Sequence, residues 1–292
     1  MVSSLVSRAK PYASLVALSH TIFALPFAAS AVLLALPRPH VPLSVSRVLA
    51  MLVCMVTART AAMGFNRWAD REIDRKNPRT ARREIPAGVV SPASALALVG
   101  LSSAIFIASA ATLGRWPLIL SVPVLGVLLG YSLTKRFTWA AHLVLGLALA
   151  LAPGGAWIAM GLAPDAAIVC LMVGVLTWVG GFDVLYSLQD EAFDRENGLF
   201  SIPARFGTLG AVVLSGALHV VTVTAFAATG VLLGRGAAYF TGVLVVAALL
   251  GYEHALVGKG NLAKIDKAFF DVNGWVSLAF FVLTAIDAWR LS

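Results

Sequence analysis

The sequence predicts an all-α membrane protein with nine transmembrane helices. Its 292 residues have a mean hydropathy of +0.87, and only 12% of them are charged. Residues 11–37, 85–114, 137–164 and 206–234 contain no Asp, Glu, Lys or Arg. A helix of roughly 20 apolar residues crosses a hydrocarbon core about 30 Å thick, so each of these segments is long enough to span it. The runs are continuously apolar and do not alternate with polar residues, which favours helices over a membrane β-barrel.

The nine predicted spans follow from the apolar runs taken in chain order. They cover residues 14–36, 46–66, 90–113, 116–132, 138–161, 166–188, 208–233, 236–256 and 268–289. The first span follows two basic residues, as a secretory signal peptide would, but it is longer than a typical signal core. Because many similar segments follow it, we interpret it as a membrane helix.

The lysines and arginines predict the orientation of these helices. With the N-terminus in the cytoplasm, sixteen of them lie on the cytoplasmic side and five on the other, and Arg59 lies within a span. This asymmetry follows the positive-inside rule. It accounts for the formal net charge of +8 without a nucleic-acid partner. The composition is typical of a bacterial inner membrane, and the two cysteines, Cys54 and Cys170, lie in separate spans and predict neither a disulfide framework nor a thiolate metal site.

A dense group of charges lies where the second span meets the predicted cytoplasmic side. Residues 64–88 read GFNRWADREIDRKNPRTARREIPAG and contain seven basic and four acidic side chains. Asn66, Asp70 and Asp74 are four residues apart, so on an α-helix they would form one stripe. Two carboxylates and an amide oxygen are a ligand set that suits Mg²⁺ better than zinc.

A second acidic stripe is predicted about 120 residues later, in GFDVLYSLQDEAFDRENGLFSIPARFG. Asp183, Tyr186, Asp190 and Asp194 fall at spacings of three, four and four, which again places them on one helical face at a cytoplasmic end. Asp183 lies inside the predicted span, where an ionisable side chain is costly and usually functional. An exposed helix end with ordinary charge pairs would explain one such stripe, but two matched stripes on one side favour a site.

Short sequences downstream of the two stripes also match. The tetrapeptide DRKN begins at Asp74 and DREN begins at Asp194, while IPAG and IPAR follow them. This weak repeat predicts two pseudo-repeated halves, each with an Asp-rich motif, at 66–74 and 183–194.

Clustered carboxylates repel one another, and divalent cations that neutralise them would attract a polyanion such as a diphosphate. Lys135, Arg136 and Arg205 lie on the same predicted side, where they either bind phosphate or anchor the loops. Metal ions and guanidinium groups together stabilise a departing diphosphate. The bilayer suggests that a lipid chain is attached to the diphosphate. Departure of the diphosphate from an allylic chain leaves a carbocation, which requires a dry, apolar or aromatic cavity. Candidate walls for this cavity, or alternatively ordinary core residues, are Trp157, Trp178, Phe182 and Tyr186.

These motifs together resemble the UbiA family of membrane prenyltransferases. The resemblance rests on N-x-x-x-D-x-x-x-D at the second span, D-x-x-Y-x-x-x-D-x-x-x-D at the sixth, SHTIFALPFA, YSLTKRFTWAAH, and Arg59 seven residues before Asn66. The chain is similar to the 4-hydroxybenzoate polyprenyltransferase-like branch, which includes the prenylation step of the futalosine route to menaquinone. One departure is Arg67, because the family's first motif commonly reads Asn-Asp.

The resemblance implies one prenyltransferase domain over residues 1–292, with nine helices around a central cavity. It also implies Mg²⁺-dependent transfer of a polyprenyl group from its diphosphate to 4-hydroxybenzoate or a hydroxynaphthoate, in quinone biosynthesis. The residues expected to hold Mg²⁺ and diphosphate are Asn66, Asp70, Asp74, Asp190 and Asp194. Further residues expected to bind substrate are Arg59, Lys135, Arg136 and Arg205.

By the same resemblance, Asp183 and Tyr186 would lie near the reacting carbon. Asp183 would take the ring proton or orient the acceptor phenol, and Arg59 would pair with an acceptor carboxylate or with one of the aspartates. The expected partners are polyprenyl diphosphate, a small aromatic acceptor and membrane lipid, with no nucleic acid and no obligate protein partner. His20 lies inside the first predicted span, where it either contacts an acceptor or forms a hydrogen bond between helices. His142, His219 and His254 show no ligand spacing.

Two other classes of protein compete with this interpretation. A secondary transporter also contains repeats and charged groups at broken helices, but its sites usually lie near the bilayer midplane. A non-catalytic membrane assembly factor would tolerate loss of the carboxylates. The acceptor, the prenyl chain length, the number of Mg²⁺ ions and the oligomeric state stay open at this point.

Overall fold

A computed structural model describes residues 15, 23–38, 41–257 and 265–291, and the regular elements in these ranges are all helices, with no β-strand. Eight of the helices described there are long and apolar enough to cross a membrane. The all-α membrane fold is therefore confirmed. Of the predicted first span, 14–36, the structure describes Leu15 and the short helix Leu25–Ala35, while most of residues 14–22 lie outside the described ranges.

The helices are numbered here in chain order. They are α1 (Leu25–Ala35), α2 (Val45–Ala69), α3 (Arg71–Lys76), α4 (Pro92–Leu113), α5 (Arg115–Thr134), α6 (Ala141–Ala159), α7 (Ala166–Tyr186), α8 (Glu191–Glu196), α9 (Ile202–Leu232), α10 (Ala237–Val257) and α11 (Asn273–Leu291). A 3₁₀ turn, Ser187–Asp190, joins α7 to α8, and a π-helical turn, Ala268–Val272, precedes α11. The predicted seventh span begins at 208, whereas α9 begins six residues earlier, at Ile202. Gly207, with a positive φ of 70°, interrupts α9 just before the predicted start.

Four helices begin at a side-chain N-cap that the sequence supplies. Ser44, Ser91, Asp165 and Ser201 each accept a hydrogen bond from the backbone N–H three residues further on. Prolines lie in the first turn of α4 and α9, where the missing N–H costs nothing. These caps fix where the helices begin.

The chain divides into two compact units, of which the first comprises residues 1–21 and 44–133. In this unit α2 packs along α4, and their shared core contains Ala61, Val99 and Phe106. A Cβ added at Gly64 would lie 3.0 Å from Cγ2 of Val99, so the glycine allows a close approach. Small residues at such contacts are typical of membrane helices.

The second unit comprises residues 22–43 and 134–292, and α7 is its most buried span. Its core is a packed group of aromatic rings. Phe27 lies 5.0 Å from Trp178 and 5.4 Å from Phe226, measured between ring centroids, and Phe226 lies 4.6 Å from Phe280. All four are almost completely buried. Trp178 is therefore a core residue rather than a cavity wall, because its ring is fully enclosed by other side chains.

The same reasoning applies to Trp157, which is 1% exposed and donates its indole N–H to the carbonyl oxygen of Ala163 at 3.0 Å. Phe182 is 3% exposed and packs edge-on against Trp178. Only Tyr186, of the four aromatic candidates, is half-buried, and its ring stacks against Phe269 with centroids 4.1 Å apart.

A pH-dependent contribution to stability arises at the N-cap of α7. Asp165 is partly buried, which opposes its ionisation, but hydrogen bonds from the Ile168 N–H and from the Arg38 guanidinium outweigh this and lower its pKa. The ionised Asp165 therefore stabilises the folded protein fully above the pKa of about 3.9 that an aspartate has in the unfolded chain. This stabilisation is lost as the pH falls through the lower pKa of Asp165 in the folded protein. We expect the thermal midpoint of the wild type to fall more steeply below about pH 4 than that of Asp165→Asn. Thermal scans from pH 6 to pH 3 measure this, and parallel curves for the two proteins would contradict it.

Candidate active site

The first Asp-rich motif lies in the first unit, at the junction of two helices. Helix α2 ends at Ala69, Asp70 has φ −91° and ψ 1°, and α3 begins at Arg71. The helix assumed for the predicted stripe is therefore interrupted at Asp70. The spacing of four survives the break, because the N–H of Asp70 bonds to the oxygen of Asn66 at 2.9 Å and the N–H of Asp74 to that of Asp70 at 2.7 Å.

The two aspartates of this motif are buried, with exposed fractions of 1% and 3% for Asp70 and Asp74. Asn66 donates its side-chain N–H to Oδ2 of Asp70 at 3.1 Å, and Arg83 donates to Oδ1 of Asp74 at 2.7 Å. The other carboxylate oxygen of Asp74, Oδ2, is buried without a hydrogen-bond partner. A buried carboxylate oxygen without a partner is costly, and a bound cation would remove the cost.

Arg67, where the sequence departs from the common family motif, lies beneath the same junction. Its Nε is 3.9 Å from Oε2 of Glu84, and both side chains are largely buried. Asp74 and Arg83 are within electrostatic range of Arg67, and Tyr131 is within range of both Arg67 and Arg59. The substitution of Arg67 for the common aspartate therefore places a basic side chain, and not a metal ligand, beside the first motif.

The second Asp-rich motif lies in the second unit and is also interrupted. Asp183 and Tyr186 belong to α7, Asp190 ends the 3₁₀ turn, and Asp194 lies in the first turn of α8. Here too the assumed continuous helix is interrupted, because the backbone tightens to a 3₁₀ turn after Tyr186.

The two motifs nevertheless share one local structure. Asp70 and Asp190 are the N-cap residues of α3 and α8, each of which is six residues long and carries an aspartate in its first turn. The pseudo-repeat seen in the sequence is therefore visible in the secondary structure as a long span, a break at an aspartate and a six-residue helix.

Asp194 is the centre of a polar group at the end of α7. Its carboxylate forms a side-chain hydrogen bond with Ser201, and the charges of Asp190 and Lys135 act on it. The carbonyl oxygen of Lys135 accepts a 2.7 Å hydrogen bond from the Phe200 N–H, which ties the connection after α5 to the segment before α9.

The predicted bases around this group differ in how they are placed. Arg136 and Arg205 are exposed, and the guanidinium carbon of Arg205 lies 5.8 Å from the centroid of the Phe206 ring. Lys135 is half-buried beside Asp194. The structure therefore brings Lys135 to the acidic residues and shows Arg205 stacked on an aromatic side chain.

Asp183 has a partner that reasoning from spacing did not find. Its Oδ2 is 2.7 Å from Nδ1 of His142, and Nε2 of His142 accepts a hydrogen bond from the Ile202 N–H at 3.3 Å. His142 ends the quoted motif YSLTKRFTWAAH, seven residues after Lys135. The motif was the one sequence feature that pointed to His142, because this histidine is not spaced from other residues as a metal ligand would be.

The donor set of the two motifs fits Mg²⁺. Among the described residues, no three His, Cys, Asp or Glu side chains are close enough together to form a metal cluster by themselves. Mg²⁺ is usually held by one or two carboxylates and completes its coordination with water and substrate phosphates. Hard oxygen ligands and the partnerless Oδ2 of Asp74 meet that requirement.

The family model for the UbiA prenyltransferase family matches residues 24–282 of the chain. The chain belongs to the UbiA prenyltransferase family. It is 32% identical over 238 residues to a 4-hydroxybenzoate octaprenyltransferase of Aromatoleum aromaticum, with 80% of this chain and 78% of the relative covered. A UbiA homologue from Aeropyrum pernix K1, solved in its apo form, is 35% identical with a TM-score of 0.83 over 92% of this chain and 98% of that one.

A UbiA homologue from Archaeoglobus fulgidus, solved with GPP and Mg²⁺, shares the fold with a TM-score of 0.72 at 18% identity over 94% of this chain and 99% of that one. The predicted family resemblance is confirmed, and this UbiA-family chain is a membrane enzyme that transfers prenyl groups.

Proposed function

We propose that this UbiA-family enzyme transfers a polyprenyl group from polyprenyl diphosphate to an aromatic carboxylic acid, 4-hydroxybenzoate or a hydroxynaphthoate, in quinone biosynthesis. The observation that carries the proposal is the shared structure of the two motifs, in which a long span is followed by an aspartate at the N-cap position of a six-residue helix that carries a further aspartate in its first turn. The relatives named 4-hydroxybenzoate octaprenyltransferase support the same acceptor class.

In this proposal one asparagine and four aspartates of the two motifs would hold Mg²⁺, and the bound cation would attract the diphosphate. These residues are Asn66, Asp70, Asp74, Asp190 and Asp194. Bound Mg²⁺ would supply Lewis acidity to the leaving diphosphate. The partnerless oxygen of Asp74 supports this assignment in the first motif. The Archaeoglobus homologue was solved with GPP and Mg²⁺ together, which supports the use of a divalent cation with a prenyl diphosphate.

The basic residues would stabilise the negative charge that develops on the diphosphate. Lys135 is the best placed, since it is half-buried and acts on Asp194. Arg136 and Arg205 are exposed, so they would reach the outer phosphate oxygens once substrate is bound.

Asp183 and Tyr186 would act on the reacting carbons. The bond between the first prenyl carbon and the diphosphate oxygen breaks, and its electron pair leaves with the diphosphate. A ring carbon of the acceptor forms the new C–C bond, and the displaced ring proton passes to Asp183. Tyr186 and the stacked Phe269 present aromatic faces that would stabilise positive charge on the prenyl group. Arg59 would pair with the acceptor carboxylate.

The distribution of basic residues supports an inner-membrane protein with the site at the cytoplasmic face. Polyprenyl diphosphate and the acceptor would then both reach the site from the cytoplasmic leaflet.

The test uses purified protein in nanodiscs with radiolabelled polyprenyl diphosphate. Reactions contain either 4-hydroxybenzoate or 1,4-dihydroxy-6-naphthoate, with Mg²⁺ or with EDTA. We expect Mg²⁺-dependent product with one acceptor and almost none in Asp70→Asn or Asp190→Asn. A folded wild type that forms no product with either acceptor would overturn the proposed acceptors. Unchanged turnover in both variants would contradict the assigned site. No product with either acceptor, together with unchanged diphosphate binding in the variants, would favour a transporter or an assembly factor.

A further inference from the structure

His142 is held between two fixed partners in the second unit. It lies one residue after the start of α6, its side chain is 6% exposed, and its two ring nitrogens face different elements. Nδ1 faces Oδ2 of Asp183 on α7 at 2.7 Å, and Nε2 faces the backbone N–H of Ile202, the first residue of α9, at 3.3 Å.

These two contacts determine the tautomer of the imidazole. The Ile202 amide is a donor only, so the nitrogen that faces it must be the unprotonated acceptor. The proton of the neutral ring is therefore on Nδ1, which donates to the Asp183 carboxylate. A doubly protonated imidazolium would place two N–H groups against each other at Ile202 and would lose that hydrogen bond.

The arrangement leaves one oxygen of Asp183 for chemistry. Oδ2 accepts from His142, and the Asp183 side chain is 23% exposed, whereas His142 is buried beneath it. A proton taken up by Asp183 can therefore be held on Oδ1 without disturbing the bond to His142. The ring of His142 is in turn held by the helix that carries it and by the first turn of α9.

We propose that His142 is a positioning residue that fixes the orientation of Asp183 and keeps Oδ2 occupied, so that Oδ1 receives the ring proton of the acceptor. This inference rests on the proposed function. The Ile202 N–H donates to His142, and His142 donates to the Asp183 carboxylate, so that each hydrogen bond fixes the next group as an orienting group fixes a catalytic base.

Two variants separate the hydrogen bonds of His142 from its volume. His142→Gln keeps one planar donor and one acceptor, whereas His142→Phe keeps the ring and removes both hydrogen bonds. For His142→Phe we expect kcat to fall about 100-fold, which is within the range for a misplaced acid–base group, with KM for polyprenyl diphosphate changed less than about threefold. His142→Gln should retain kcat within about tenfold of the wild type. The double variant His142→Phe/Asp183→Asn should be no slower than Asp183→Asn alone, because the two residues act as one unit.

A spectroscopic measurement tests the geometry without any turnover. Protein labelled with ¹⁵N-histidine is studied by solid-state NMR in nanodiscs at neutral pH, and the His142 signals are assigned by their loss in His142→Gln. We expect an Nδ1–H tautomer whose Nδ1 shift changes in Asp183→Asn.

The possible outcomes distinguish this inference from the proposed function. A wild type that is inactive with every acceptor overturns the function, while the NMR spectrum still decides the hydrogen bonds. An active wild type with unchanged kcat in His142→Phe overturns the positioning role. If His142→Phe does not fold, two other results overturn the positioning role. One is an Nε2–H tautomer or an imidazolium at His142 in the wild type, and the other is a kcat loss in His142→Gln as large as in Asp183→Asn.

Discussion

Asp74→Asn should lower kcat/KM for polyprenyl diphosphate by about a thousandfold at saturating Mg²⁺, a loss of roughly 4 kcal/mol in transition-state stabilisation. Asparagine has almost the same shape as aspartate, so the helix break and the packing around residue 74 are kept. The change removes the negative charge and converts one oxygen into an N–H₂ group. Since Asp74 Oδ2 is the buried oxygen without a hydrogen-bond partner, it is the atom best placed to bind a cation in the first motif.

The loss should appear in the metal dependence as well as in the rate. We expect the Mg²⁺ concentration for half-maximal activity to rise in Asp74→Asn by about tenfold or more, because one anionic ligand of the cation is missing. Activity measured from micromolar to millimolar Mg²⁺ checks this directly.

Glu72→Gln is the matched control for this prediction. Glu72 lies on the same short helix two residues earlier, its side chain is 60% exposed, and it pairs with Arg75 at 2.8 Å. Exposed pairs of this kind contribute little, so the variant should remain within about twofold of the wild type. Equal losses of kcat/KM in Glu72→Gln and Asp74→Asn would show a general effect of charge. Wild-type activity in Asp74→Asn would show that Asp74 is not part of the site.

Hydropathy and charge were enough to predict most of the fold. The eight long helices agree with eight of the nine predicted spans, because the length of an apolar run is fixed by bilayer thickness and needs no tertiary information. The breaks at Asp70 and after Tyr186 were not predictable, since a spacing of four is equally compatible with a continuous helix and with two helices joined at an aspartate. The shared break is a property of the folded chain.

The site was only partly predictable for a similar reason. Aspartates that recur at a spacing of four residues are recognisable in the sequence alone, and both Asp-rich motifs could be predicted from this spacing. His142 meets Asp183 across 41 residues through the packing of α6 on α7, and no local period records such a contact. For Trp178 the sequence left a cavity wall and an ordinary core residue as alternatives, and only its burial in the folded chain favours the core.

The close approach of α6 and α7 depends on Gly146, and Gly146→Ala should be strongly destabilising. A Cβ at this position would lie 2.2 Å from the carbonyl oxygen of Leu176 and 3.3 Å from the backbone nitrogen of Gly180. Both atoms are backbone and cannot rotate away, so the helices would have to move apart. Overpacking typically costs about 1–3 kcal/mol, and contact with rigid backbone should place this variant at the upper end.

The matched control is Gly155→Ala on the same helix. Outside its chain neighbours and the adjacent backbone of its own helix, no atom lies within 4 Å of a Cβ built at Gly155, which is exposed, so this change should leave the thermal midpoint nearly unchanged. Thermal unfolding followed by tryptophan fluorescence compares the two variants with the wild type. Equal midpoints for Gly146→Ala and Gly155→Ala would show that α6 and α7 are not held together at this contact.

The same variant should also affect catalysis, because Gly146 lies one turn after His142 and Gly180 lies three residues before Asp183. Helices that separate at Gly146 would lengthen the 2.7 Å bond between His142 and Asp183. Folded Gly146→Ala, studied well below its midpoint, should therefore lose kcat by about tenfold with little change in KM for polyprenyl diphosphate. Full kcat in a destabilised Gly146→Ala would show that the helix contact supports the fold but does not set the geometry of Asp183. Gly146 and Gly180 thus connect the apolar packing of the second unit with the position of Asp183, its candidate catalytic base.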